Sequence, residues 1–158
     1  IKGVCMSTIP ISEIQNYVGA NLGASEWMKI DQARVNSFAE VTGDFQFIHL
    51  DEEAASKTPF GGTIAHGFLT LSLVASMGPQ KSLVLEGWQM GVNYGSDKVR
   101  FLHPVRVGKR IRAHWKLLSV IAKTETNYLF KYEVSVEIEG VETPALIYES
   151  LLMQVVAV

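Results

Sequence analysis

Cysteine is almost absent from this chain: its 158 residues hold one, Cys5. No internal disulfide can form, and a lone thiol near the N-terminus is a poor candidate for a nucleophile. Charge of one sign is not in excess either. The net charge is −2, with no basic stripe, which argues against nucleic acid as a partner. No apolar run approaches the ~18 residues that a membrane-spanning helix needs. No basic, apolar and small-residue series marks a secretory signal. The expectation is a cytoplasmic protein that binds neither membrane nor nucleic acid. HExxH, Cys/His finger spacings and a G-x-S-x-G elbow are also missing, so zinc and serine hydrolases lack support. There is no internal repeat, linker or low-complexity segment. A single domain spanning 1–158 is expected.

Apolar residues make up 47% and charged residues 19%. That is a globular composition slightly richer in apolar residues than a surface needs, which fits burial between subunits. Lys98, Arg100, Arg106, Lys109, Arg110 and Arg112 crowd one stretch. Such a run is usually a solvated strand face; the alternative is a patch for a phosphorylated ligand.

The first half reads as helical. Ile11, Ile14 and Val18 fall at helical spacing before Gly19. Trp27–Ile30 reads as a short strand. Asp31 is placed to cap a helix running to about Val41, with Val35, Phe38 and Val41 on one face. Asp51 caps a further helical turn. From Ile64 to Met77 the chain is apolar on nearly every helical side, which predicts a buried helix ended by Gly78-Pro79. The second half is β-rich, over 88–94, 98–102, 110–121, 126–138 and 142–156. Turn signals such as Gly95-Ser96-Asp97 and Glu139-Gly140 separate these runs. Helices followed by strands predict an α+β fold, one antiparallel sheet with a buried helix against it.

Candidate chemistry lies between these halves. Asp44 and His49 are five residues apart in a loop, close enough to share one small site. Imidazole exchanges protons near neutral pH, and a carboxylate beside it fixes its tautomer or serves as a second proton-transfer group. The same spacing also suits a turn-capping Asp and a half-buried loop His. Gly61, Gly62 and Gly67 precede or begin the apolar helix. Glycines at a helix start let backbone N–H groups meet a developing oxyanion; tight helix packing is the other reading. His66 on an apolar face is most simply a hydrogen-bonded structural histidine. Asn93-Tyr94-Gly95, then Arg100, offers an amide for a ligand carbonyl and a guanidinium for phosphate, or a polar strand end.

In order, these motifs resemble the MaoC-like dehydratase family, with its T-G-D-x-N-P-I-H-x-D run, F-G, I-A-H-G, N-Y-G and R-F-x-x-P-V. Here they stand as Thr42-Gly43-Asp44, Ile48-His49, Asp51, Phe60-Gly61, Ile64-Ala65-His66-Gly67, Asn93-Tyr94-Gly95, Arg100-Phe101 and Pro104-Val105. The resemblance implies a hot-dog fold: a long central helix, here Ile64–Met77, wrapped by a curved antiparallel sheet and paired in a homodimer. It implies Asp44 and His49 as the catalytic pair and the Gly67 N–H as the holder of a thioester oxygen. Gln46, Gly62, His66, Asn93, Tyr94 and Arg100 are the remaining candidate substrate contacts. The implied reaction adds water to a trans-2-enoyl thioester of coenzyme A or acyl carrier protein, giving an (R)-3-hydroxyacyl thioester without metal or redox cofactor. Rival implications are a hot-dog thioesterase and a non-catalytic acyl-thioester-binding subunit. Gln46-Phe47 replaces the family's Asn-Pro and fits the nodulation protein N-like branch.

Overall fold

Alternation of apolar and polar residues builds the sheet. In the strand β7, Asn127–Ile138, the residues Phe130, Tyr132, Val134, Val136 and Ile138 are all buried. They lie on one pleated face, as period two requires. The computed structural model describes residues 5–157. Its elements are β1 (Cys5–Ile9), a 3₁₀ turn (Ile11–Tyr17), β2 (Asn21–Ala24), β3 (Met28–Lys29), α1 (Gln32–Thr42), α2 (Phe47–Leu50), α3 (Glu52–Ser56) and α4 (Gly67–Leu73). A 3₁₀ turn (Val74–Ser76), β4 (Lys81–Leu85), β5 (Trp88–Phe101), β6 (Arg110–Ala122), β7 and β8 (Val141–Val156) follow. The side chain of Cys5 lies outside the described part.

The main sheet runs β2-β6-β7-β8-β5, with β3 also on β6 and all pairs antiparallel. β1 and β4 form a separate parallel pair. A register shift between Leu117 and Ser119 puts an extra residue in β6. The buried positions therefore change phase, from Ile111, Ala113 and Leu117 to Val120. The sheet packs on Leu69, Val74 and Met77 around α4, and on Ile30 and Val35 at α1. A curved antiparallel sheet holding a central helix is the hot-dog fold.

The central helix is shorter than its apolar run suggests. It covers Gly67–Leu73 and tightens into the 3₁₀ turn, instead of running from Ile64 to Met77. Ile64 to His66 are withheld from it by backbone bonds: Ile64 bridges Arg106, and the Ala65 N–H donates to the Val105 carbonyl at 2.8 Å. Nor is the helix buried all round, since Phe68 is 67% exposed. The two strands expected at 88–94 and 98–102 are one. Gly95-Ser96-Asp97 forms no turn; its irregularity appears as register shifts against β8 on either side. Asp31 caps α1 as expected, accepting from the Arg34 N–H at 2.9 Å. Val35 is buried, but Val41 at the last turn is 81% exposed. The basic run serves as an ion-paired strand face: Lys98 meets Glu149, Arg110 meets Glu139 and Arg112 meets Glu137.

Candidate active site

Three short elements bring the site together. Helix α1 ends at Gly43, whose φ of 75° is left-handed, a backbone state glycine adopts without a Cβ penalty. The reversal delivers Asp44 at once into the loop before α2. Helix α2 is a single turn carrying His49. The extended segment at 63–66 then runs past α2 and turns into α4, placing His66 just before Gly67.

His49 is 7% exposed and His66 is 3% exposed. Their rings stack with centroids 3.7 Å apart and planes 27° from parallel. His49 Nδ1 lies 2.7 Å from the Ile64 carbonyl oxygen. A carbonyl only accepts, so Nδ1 carries the hydrogen and Nε2 presents a free lone pair. By the same logic His66 Nε2, 3.0 Å from the Asp44 carbonyl oxygen, is the donor in that ring. His66 Nδ1 is left buried with no partner among the described residues. The Asp44 carboxylate and a nitrogen of each histidine lie within 4.8 Å of one another. Burial pushes the His49 imidazole below its ordinary pKa; the Ile64 bond opposes this, the His66 charge adds to it, and Asp44 opposes it.

His49 opens onto a cavity of ≈ 260 Å³ walled by Phe60, Ala65, Gly67, Thr70, Phe101 and His103, among others. Gly67 is the first residue of α4, where backbone N–H groups have no partner within the helix. A Cβ there would stand 3.1 Å from the Phe101 ring. A base with a free lone pair and a backbone donor thus border one small apolar chamber, and the Asp44 carboxylate stands close to the base.

Residues 13–138 match the family model for the MaoC like domain. The chain belongs to the MaoC-like dehydratase family. It is 44% identical over 142 residues to nodulation protein N of Rhizobium meliloti, covering 89% of this chain and 88% of that one. It is 41% identical over 145 residues to 3-hydroxyacyl-thioester dehydratase Z of Mycobacterium tuberculosis, covering 92% and 95%. Its fold superposes with a TM-score of 0.77 on the monoamine oxidase regulatory protein from Archaeoglobus fulgius, at 25% identity over 96% of this chain and 98% of that one. The chemistry of this MaoC-like chain is accordingly that of a hydro-lyase.

Of the residues singled out from the sequence of this MaoC-like dehydratase, Asp44, His49, His66 and Gly67 lie together. His49 and Gly67 line the cavity, Asp44 and His66 cluster with His49, and the others lie apart. Gln46 is exposed at the start of α2, and its N–H reaches Asp44 Oδ1 at 3.4 Å. Asn93 faces Leu152 across the β5–β8 ladder and lines a second cavity of ≈ 600 Å³. Tyr94 is 59% exposed on β5. Arg100 turns its guanidinium to the carbonyl of Val99 at 2.7 Å. Gly62 packs under a salt bridge away from the cavity. Sequence reasoning missed Thr70, Phe101 and His103 as cavity walls. The R-F-x-x-P-V segment was the available signal for Phe101 and His103. Nothing local marks Thr70, because only the helix phase turns it inward.

Proposed function

We propose that the protein reversibly adds water across the double bond of a trans-2-enoyl thioester, giving an (R)-3-hydroxyacyl thioester carried on coenzyme A or acyl carrier protein. The observation that carries this reading is His49, its Nε2 left free by the Nδ1 bond to Ile64 and its ring clustered with Asp44, lining the cavity that Gly67 borders. His49 takes a proton from water as the water oxygen bonds to C3. The C2=C3 electrons move toward the thioester, and the Gly67 N–H stabilises the charge on its oxygen. A proton returned from the Asp44/His49 pair to C2 completes the addition, so one water is consumed and both residues regain their starting states. Dehydration is the same path reversed. His66 holds the Asp44 loop through that residue's carbonyl.

The test follows enoyl absorbance with crotonyl-CoA and a longer trans-2-enoyl-CoA, with a free-thiol assay alongside and chiral analysis of the product. Enoyl loss without thiol release, giving the (R)-alcohol, is expected. Asp44→Asn or His49→Ala should lower kcat by about 10²-fold or more with the fold retained. Thiol release would make the protein a thioesterase, and no reaction with these or with the same enoyl chains on acyl carrier protein would make it a binding subunit.

A further inference from the structure

A four-residue turn cannot hold a catalytic side chain steady by its own hydrogen bonds, since helix nucleation is unfavourable at that length. For α2, three outside contacts do so. Gln32 Nε2, from the first turn of α1, donates to the His49 carbonyl at 2.7 Å. The Ile64 N–H donates to the Ile48 carbonyl at 3.0 Å. The Ile64 carbonyl accepts from the imidazole itself. Two of the three end on Ile64, so its position governs the pose of the ring.

Ile64 is placed in turn by its neighbour, Thr63, which is 2% exposed. The Thr63 N–H and hydroxyl lie 2.7 and 2.8 Å from Glu52 Oε2. The hydroxyl is also 2.9 Å from Gln32 Oε1. Having one proton, it serves one of these acceptors at a time. The Gln32 amide is oriented without ambiguity: flipped, its oxygen would face the His49 carbonyl oxygen. It also donates to Asn36 Oδ1 at 2.9 Å. Glu52 lies 3.6 Å from Arg106 Nη2, and Arg106 Nη1 donates to the Phe60 carbonyl at 2.6 Å. Gly62 passes directly beneath this pair at a φ of 143°, and a Cβ there would collide with both the guanidinium and the carboxylate. Its missing side chain therefore serves the clamp. Hydrogen bonds from Thr63 draw the Glu52 carboxyl below its ordinary pKa, which keeps it a charged acceptor near neutral pH. None of Gln32, Glu52, Thr63 and Arg106 lines the catalytic cavity.

We infer that Gln32, Thr63 and Glu52 form a positioning clamp that fixes the orientation of the His49 imidazole and so sets turnover without touching the substrate. The kinetic part of this inference rests on the hydratase reading; the geometric part does not. Two readouts on Thr63→Val, Thr63→Ser, Gln32→Met and Glu52→Gln separate them. The first is steady-state hydration of enoyl-CoA. Thr63→Val and Gln32→Met should lose about ten- to a hundred-fold in kcat, the scale expected of an ångström-sized misplacement. KM should stay within about two-fold for the same reason, and Thr63→Ser should restore most of the rate. The second is nitrogen-15 NMR of the His49 side chain, which needs no substrate. The native protein should show the Nδ1–H tautomer alone, and the valine and methionine variants a mixture. Glu52→Gln, which keeps the shape, supplies the comparison if Thr63→Val does not fold. An unchanged tautomer with unchanged kcat, or a loss confined to KM, would overturn the clamp. A native protein inert toward enoyl thioesters whose variants still mix tautomers would sink the hydratase reading and leave the clamp standing.

Discussion

At His49 the two ring nitrogens have different work. Nδ1 is spent on the Ile64 carbonyl, and that fixed hydrogen makes Nε2 a base. In the proposed reaction His49 must be neutral to act as the base, and burial lowers its pKa. The acid limb of kcat/KM should therefore fall below the ordinary imidazole value of ~6.5. A pH–rate profile of the native protein checks this, and a limb above that value would mean that His49 is not the base. The same depression bears on stability. Below about pH 6.5 the unfolded chain takes up a proton at this histidine before the folded chain does. The contribution is thus fully present above that pH and is lost as pH falls toward the folded-state pKa. Urea midpoints measured from pH 7.5 to 5 should decline more in the native protein than in His49→Gln.

At the scale of elements, α4 shows how partial a sequence pattern can be. Its apolar run is continuous from Ile64, yet the helix starts at Gly67. Ile64 and Ala65 before it are bound to the 105–106 segment, a contact no local pattern encodes. The long strands β6, β7 and β8 were legible because alternation reports a half-buried face. β2 and β4 went unread because pairing makes them strands: Asn21–Ala24 has no β-branched residue and exists by bonding to β6. The site divides the same way. Asp44, His49 and Gly67 could be placed from their motifs, whereas the Gln32–Thr63–Glu52 contacts join three distant elements and needed coordinates. Gly67 also allows a test at this scale. Gly67→Ala should not harm the helix, since alanine is the better former by about 1 kcal/mol. It should lower kcat/KM about ten-fold or more, because the Cβ meets the Phe101 ring beside the place proposed for the thioester. If Gly67→Ala/Phe101→Ala regains the rate, displacement of the ring was the cause; if it does not, the methyl itself obstructs the donor.

For the whole molecule, the open question is β5. It ends the sheet, pairing with β8 on one side and with no described strand on the other. Fourteen residues of unpaired backbone are a strong template for another chain. Charge and proline are absent along its first half: Trp88, Met90, Val92 and Tyr94 are 44 to 59% exposed, and no lysine, arginine or proline interrupts them. Basic residues begin only at Lys98, where a positive φ adds to the last of the strand's register shifts. A second copy related by a twofold axis would pair its own 88–95 stretch here and extend the sheet across both chains. Light scattering at micromolar concentration should then give about twice the chain mass of 17.5 kDa. Val92→Lys would place a charge on the bare edge and should yield monomers. The cavity beside Phe101, at the other end of the same strand, links the two scales: if the monomeric variant also loses hydration, dimerisation holds that wall in place, and if it stays active, each chain is a complete catalyst. A monomeric mass for the native protein would refute the pairing.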